Sequence, residues 1–177
     1  MPTAYRQRIQ QLHAELGIPA DYPERFPGTL HEEARELVDA GLDYYGRPQQ
    51  LETGARDAWQ AMQAAAAEAG VVLHLISAYR SVDYQCGLIR RKCRDGRSLE
   101  EVLKVNAAPG YSEHHTGRAV DLGTLDCPAL VEAFEDTPAF GWLQQHAGRF
   151  GFTLSYPRGN PEGISYEPWH WCFHASR

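Results

Sequence analysis

The chain has 177 residues, of which 43% are hydrophobic and 23% charged, and its formal net charge is −6. This length and composition predict one globular domain with a sizeable core. The acidic balance argues against a nucleic-acid partner, because such partners usually require a basic surface. The sequence contains no run of about 18 apolar residues, so it predicts no membrane span. We expect the basic run between Arg90 and Arg97 to be a solvated helix face.

The N-terminal residues are polar and lack the hydrophobic segment of a signal peptide. If Met1 is the natural start, we expect a cytoplasmic protein, and if a leader was removed, a periplasmic or extracellular one. We also expect a monomer. The chain has no CxxC pair, so we predict free thiols rather than thiolate zinc ligands. The cysteines are Cys86, Cys93, Cys127 and Cys172.

Apolar periodicity and turn residues predict the elements of the chain in order. They are helices over 4–16, 31–45 and 49–69, a strand over 71–77, helices over 82–94 and 99–105, a strand over 119–122, helical segments over 128–134 and 138–150, and strands over 152–156 and 169–173. Helices cluster early and short strands late, which predicts an α+β fold. Residues 1–48 are predicted to form an N-terminal helical extension packed on a core of residues 49–177.

The string SEHHTGRAVD at 112–121 offers candidate metal ligands. A turn that folds back into a strand can bring His114 and Asp121 to one ion, and Gly117 permits the tight backbone. His115 competes with His114 for this role. Adjacent strand residues point to opposite faces, so we expect only one of the two histidines to bind.

The string YEPWHW at 166–171 completes the set. Pro168 prevents regular ladder pairing, so the chain can bend and direct Glu167 and His170 into one cleft. Three nitrogen or oxygen ligands leave a fourth zinc position open for water, and a separate carboxylate can take that water's proton. We therefore predict a hydrolytic zinc site with His170 as a ligand and Glu167 as the general base. Arg80, which follows the strand predicted at 71–77, could clamp a carboxylate or stabilise an oxyanion.

These residues resemble the VanY-type D-alanyl-D-alanine carboxypeptidases and their L,D-carboxypeptidase relatives. That group of zinc peptidases also contains the D-Ala-D-Ala dipeptidases and the hedgehog domain. Its SxHxxGxAxD pattern matches the string at 112–121, and its carboxypeptidase ending matches the string at 166–171. Its SGYRS…Q element is similar to residues 77–81 together with Gln85. The resemblance extends over roughly residues 50–174.

The resemblance implies that His114, rather than His115, binds Zn²⁺ together with Asp121 and His170. It also implies a small antiparallel sheet flanked by helices, and a role for Arg80 in the transition state. The residues that it implies in substrate binding are Ser112, Tyr79, Gln85 and Trp169. Two departures from the family pattern concern specificity: Ala78 stands where the family has glycine, and Ser155 where it often has arginine.

The predicted function is zinc-dependent removal of a terminal D-alanine from peptidoglycan stem peptides or other D-Ala-terminated peptides. Two other activities of the same site remain open, namely hydrolysis of free D-Ala-D-Ala and endopeptidase cleavage within the stem peptide. A zinc-containing binding module with a pseudo-active site is the non-enzymatic alternative, although the presence of Glu167 counts against it.

Overall fold

The computed structural model describes residues 2–26 and 28–175. Along the chain, two N-terminal helices come first, a two-stranded hairpin follows, and a four-stranded sheet with its accompanying helices completes the fold. They are α1 (Thr3–Leu16), α2 (Tyr22–Arg25), β1 (Val38–Leu42), β2 (Pro48–Leu51), α3 (Thr53–Glu68), β3 (His74–Ser77), α4 (Val82–Arg94), α5 (Leu99–Lys104), a 3₁₀ turn (Glu113–Thr116), β4 (Ala119–Gly123), a 3₁₀ turn (Glu132–Asp136), α6 (Pro138–His146), a 3₁₀ turn (Ala147–Phe150), β5 (Phe152–Leu154) and β6 (His170–Phe173).

The central sheet has the strand order β3-β4-β6-β5, and every neighbouring pair is antiparallel. Asp121 on β4 lies opposite Ser77 on one side and opposite His170 on the other. The β4 strand is buried along its whole length. The middle of the sheet therefore brings an acidic residue and a histidine side by side in a site shielded from water.

One face of the sheet packs on helix α3. The helix is apolar on one side, because Ala55, Trp59, Met62 and Ala66 recur at the spacing of helical turns. These side chains join Leu75, Leu122, Phe152 and Trp171 of the strands in the main core. The α+β fold with a small antiparallel sheet is confirmed, and the sheet holds the site residues on rigid backbone.

The helix predicted over 31–45 is wrong. Residues 31–37 form neither helix nor strand, and Val38–Leu42 is a strand that pairs with Pro48–Leu51. Gly41 has a φ of 88°, outside the helical region. The backbone N–H groups of His31 and Ala34 donate instead to the carbonyls of Gly110 and His115. The helix-like apolar spacing reflects a segment that packs along the loop at 110–117.

Smaller differences concern element ends. Residues 48–51 are a strand rather than the start of the next helix, and the strand predicted over 71–77 begins only at His74. The helical segment predicted over 128–134 is the short 3₁₀ turn Glu132–Asp136. The helical segment predicted over 138–150 is divided into α6 and the 3₁₀ turn Ala147–Phe150. The last two strands of the sheet are shorter than predicted.

The N-terminal segment contacts the core through Glu33. Its carboxylate accepts hydrogen bonds from the Val82 backbone N–H at 2.7 Å and from the Arg8 guanidinium at 3.1 Å. The division into an extension and a core stays a prediction. The cysteines are free thiols, as predicted. Among residues 2–26 and 28–175, none of the helices has the length and apolar character needed to cross a membrane.

Candidate active site

The structure brings the three predicted metal ligands together. His114 lies on the 3₁₀ turn Glu113–Thr116, Asp121 on β4, and His170 at the start of β6, and all three are buried. Their potential ligand atoms lie within 4.8 Å of one another. Asp121 Oδ1 is 3.2 Å from His114 Nε2 and 3.0 Å from His170 Nδ1. One carboxylate oxygen thus lies between two imidazole rings.

Local backbone geometry explains this convergence. Gly117 ends the 3₁₀ turn with a φ of 68°, which reverses the chain into β4 and places Asp121 beside His114. The His170 N–H donates to the Glu167 carbonyl at 3.1 Å, so a tight turn around Pro168 leads into β6. The predicted bend at Pro168 therefore exists, and it brings Glu167 and His170 to the same cavity.

The two neighbouring histidines have different surroundings. His114 Nδ1 donates to the Ala78 carbonyl at 2.6 Å, which leaves Nε2 facing Asp121. His115 uses both ring nitrogens on backbone, since Nδ1 donates to the Arg80 carbonyl and Nε2 accepts from the Gly110 N–H. Both lie on a 3₁₀ turn rather than on the strand assumed from the sequence. Hydrogen bonding, rather than strand alternation, separates their roles.

The charges of the cluster suit a divalent cation. Burial, helped by the Arg80 charge, lowers the pKa of His114 to about 4, so its imidazole is neutral at pH 7. Burial opposes ionisation of Asp121, yet His114, His170 and Arg80 hold its pKa well below the usual range. His114 Nε2 and Asp121 Oδ1 therefore direct lone pairs at each other, and a shared cation relieves that repulsion. A set of nitrogen and oxygen donors is one that zinc accepts.

Glu167 lies beside this cluster. Its side chain is 13% exposed, and Oε2 is 3.8 Å from His170 Nδ1. Burial, reinforced by the Asp121 charge, raises the pKa of Glu167 to about 7, against the opposing effects of His170, Arg80 and Lys92. A carboxylate with a pKa near neutrality is suited to exchange protons with a substrate or with water.

A small cavity opens onto the cluster, and Arg80 lines it together with Gln85 and Ser112. Arg80 Nη2 is 3.5 Å from Asp121 Oδ2. Gln85 Nε2 donates to the Ala107 carbonyl at 2.8 Å. Arg80 Nε and Gln85 Oε1 are buried and have no hydrogen-bond partner among the described residues. One donor and one acceptor thus remain for a ligand.

Tyr79 and Trp169 lie elsewhere. The Tyr79 hydroxyl is 3.5 Å from Glu33 Oε1, and the Trp169 side chain packs against the main core. Neither is among the described residues that line the cavity. Their roles in substrate binding stay predictions.

Comparison with known proteins identifies the family of the chain. Residues 48–176 match the VanY family, described as D-alanyl-D-alanine carboxypeptidase. The chain belongs to the VanY family. Its three sequence strings and its buried cluster all fall within the matched region.

Individual relatives agree with this membership. The protein YodJ of Bacillus subtilis (strain 168) is 38% identical over 152 residues, which cover 81% of this chain and 54% of YodJ. The structure of the LdcB LD-carboxypeptidase is 29% identical, with a TM-score of 0.71, over 82% of this chain and 71% of that one. The chain thus spans about half the length of YodJ.

A third comparison concerns the cofactor. A variant of the vancomycin resistance D,D-pentapeptidase VanY, solved in complex with Zn(II), shares the fold at 24% identity and a TM-score of 0.61, over 81% of this chain and 86% of that one. The predicted Zn²⁺ is compatible with the His–Asp–His cluster found here, whose nitrogen and oxygen atoms are donors that zinc accepts.

Sequence reasoning missed two residues of this VanY-family site. Glu113 Oε2 accepts a hydrogen bond from His170 Nε2 at 2.9 Å. Burial opposes its ionisation, but the bond and charge of His170 lower the pKa of Glu113 to about 2. Its adjacency to His114 was the only signal, and nothing in the sequence pairs it with a histidine 57 positions away.

Lys92 is the second missed residue. It belongs to the basic run predicted to be solvated, but it is half-buried and donates to Asn106 Oδ1 at 2.9 Å. Burial, with the charges of Arg97 and Arg80, lowers its pKa. Asn106 lines the cavity beside the His–Asp–His cluster. The spacing of seven residues from Gln85, on one face of α4, could have indicated this inward position.

Proposed function

We propose that the chain is a zinc-dependent carboxypeptidase that removes the terminal D-alanine from peptidoglycan-derived peptides. Membership of the VanY family supports the peptidase class. The observation that carries the finer proposal is the buried His114–Asp121–His170 cluster with Glu167 beside it. This combination supplies three ligands and a separate proton acceptor, which a hydrolytic zinc site requires.

In the proposed reaction, His114, Asp121 and His170 hold the ion. Bound zinc would supply Lewis-acid chemistry, polarising the scissile carbonyl and acidifying a water molecule. The Glu167 carboxylate takes a proton from the attacking water and later gives it to the departing amine. Its burial keeps bulk water away from the carboxylate and holds its pKa near that of a neutral-pH base.

The remaining cavity groups orient the peptide. Arg80 Nε has an unused N–H that can donate to a substrate carbonyl or to the terminal carboxylate, and its charge stabilises developing negative charge. Gln85 Oε1 has an unused lone pair that can accept a peptide N–H. The Ser112 hydroxyl lines the same cavity and can serve as either donor or acceptor.

The experiment that tests this proposal is mass spectrometry of defined digests. Purified protein is incubated with a pentapeptide stem ending in D-Ala-D-Ala, a tetrapeptide stem ending in D-Ala, and free D-Ala-D-Ala, each with and without a chelator. We expect chelator-sensitive release of D-alanine from a stem peptide. Cleavage of the free dipeptide or within the stem would reassign the activity, and no turnover of any peptide by zinc-loaded protein would contradict it.

Glu167→Gln is the matched variant for these digests. It replaces the proposed base with a neutral group of the same shape, and we expect it to bind zinc but release little D-alanine. Near-normal hydrolysis by this variant would remove the role proposed for Glu167.

A further inference from the structure

We infer that Glu113 is a positioning residue that fixes the orientation and proton location of His170 and thereby sets the affinity of the site for zinc. The inference rests on the proposed zinc site. Glu113 is not among the described residues that line the substrate cavity, but it contacts the proposed ligand His170 from the side away from Asp121.

The contacts of His170 determine how its ring is used. Nε2 lies 2.9 Å from Glu113 Oε2, and Nδ1 lies 3.0 Å from Asp121 Oδ1. An ionised carboxylate can only accept a hydrogen bond, so Glu113 keeps a proton on Nε2. Nδ1 is then the nitrogen that faces Asp121, and its lone pair is the one directed toward a cation in the cluster.

The two histidine ligands are held by different acceptors. The outer nitrogen of His114 donates to a neutral backbone carbonyl, that of Ala78, whereas the outer nitrogen of His170 donates to the charged carboxylate of Glu113. A carboxylate behind a ligating imidazole fixes its tautomer and increases its basicity. Removal of such an outer partner weakens metal affinity more than loss of an ordinary surface contact.

The backbone couples both ligands through one short element. Glu113 and His114 are consecutive residues of the 3₁₀ turn Glu113–Thr116. One directs its side chain to His170, and the other directs its own to Asp121. The Glu113 side chain is 20% exposed, so the bond is largely shielded from competing water. The turn therefore sets the positions of two ligands on different elements at once.

The test measures zinc affinity apart from turnover. Wild type, Glu113→Gln, Glu113→Ala and Glu162→Gln are stripped of metal, checked for fold by circular dichroism, and titrated with zinc against a chromogenic chelator. We expect Glu113→Ala to lower zinc affinity about 10–100-fold. Glu113→Gln should fall between Glu113→Ala and wild type, because its amide oxygen can still accept from Nε2 but carries no charge.

Glu162→Gln is the matched control, because Glu162 and Glu113 line the same surface pocket, but among the described residues Glu162 makes no hydrogen bond or ion pair with His114, Asp121 or His170. It should bind zinc as wild type does. If Glu113→Ala fails to fold, Glu113→Gln carries the test. The inference is wrong if the folded Glu113 variants bind zinc within about threefold of wild type, which is well under the usual effect of an outer-partner loss.

A second readout reports the tautomer directly. In zinc-loaded wild type, nitrogen-15 NMR should show the His170 proton on Nε2 and protected from exchange, and Glu113→Ala should lose that protection. A metal-bound His170 with its proton on Nδ1 would overturn the inference. If the wild type hydrolyses no peptide but the Glu113 variants bind zinc more weakly than it does, the proposed function is contradicted and this inference stands. Peptide hydrolysis with unchanged zinc affinity would contradict this inference alone.

Discussion

Gly117 is the backbone position on which the geometry of the site depends most directly. It lies between the proposed ligands His114 and Asp121 and has a φ of 68°, in the left-handed region. A Cβ added there would lie 2.9 Å from Leu37 Cδ2 and 3.0 Å from the backbone nitrogen of Glu52. That nitrogen donates to the Gly117 carbonyl at 2.9 Å, so it cannot move away without losing a hydrogen bond.

We therefore expect Gly117→Ala to destabilise the fold for two reasons. Left-handed backbone costs a residue with a Cβ about 1–2 kcal/mol, and overpacking costs a further ~1–3 kcal/mol. A central value of about 3 kcal/mol lowers the melting temperature of a chain of this size by about 6–12 °C. The substitution should also weaken zinc binding, because the same turn positions both ligands.

Two other glycines separate these contributions. Gly17 has a φ of 73° but open space around an added Cβ, so Gly17→Ala reports the backbone cost alone. Gly87 lies within α4 and also has open space, so Gly87→Ala should be neutral or stabilise by up to about 1 kcal/mol.

The assay is denaturant unfolding of all three zinc-free variants, followed by chelator competition for zinc. We expect Gly117→Ala to be less stable than Gly17→Ala by about 1–3 kcal/mol. If these two variants unfold within about 0.5 kcal/mol of each other, the contacts with Leu37 and Glu52 do not constrain the turn, and the reasoning is refuted.

Three further predictions concern the site and the hairpin. Glu167→Gln should lower kcat about 10²–10⁴-fold with zinc retained, and wild-type kcat/KM should rise with pH through about 7, because the base must be ionised; a flat profile from pH 5 to 8 would count against it. Zinc removal should abolish D-alanine release and lower the melting temperature, and added zinc should restore both, as thermal scans and digests would show. Asp43 accepts from the Tyr45 and Arg47 backbone N–H groups and pairs with the Arg47 side chain, which together lower its pKa despite burial. Asp43→Asn should cost about 1–3 kcal/mol at pH 7. Because the folded-state pKa of Asp43 lies below its unfolded value near 3.8, the ionised carboxylate stabilises the fold above that value, and this stabilisation is lost as pH falls through the folded-state pKa. The difference in stability between Asp43→Asn and wild type should therefore shrink in unfolding measured at pH 3.

Regular elements were predictable where local signals agreed. Helix α4 begins after Ser81, whose side chain caps the helix by accepting a hydrogen bond from the Tyr84 backbone N–H. Helix α5 begins with a capping box formed by Ser98 and Glu101. Such capping signals involve residues within one helical turn of each other, so they can be recognised from the sequence alone. The helix prediction for residues 31–45 failed because the apolar residues of this segment have helical spacing but pack against a loop that is distant in sequence. Tertiary packing there overrides local periodicity.

The chemistry of the candidate site could also be predicted from short stretches of sequence, namely the strings at 112–121 and 166–171. Residue type supplied the candidate ligands and the candidate base, because few side chains bind zinc or exchange protons near neutrality, and the choice of His114 over His115 came from the family resemblance. What only the tertiary structure decided is how the parts act on one another. The pairing of β4 with β6 puts Asp121 opposite His170, and burial raises the pKa of Glu167. The contact between Glu113 and His170 joins residues that no local pattern relates, because hydrogen bonds and desolvation depend on distance in space rather than along the chain.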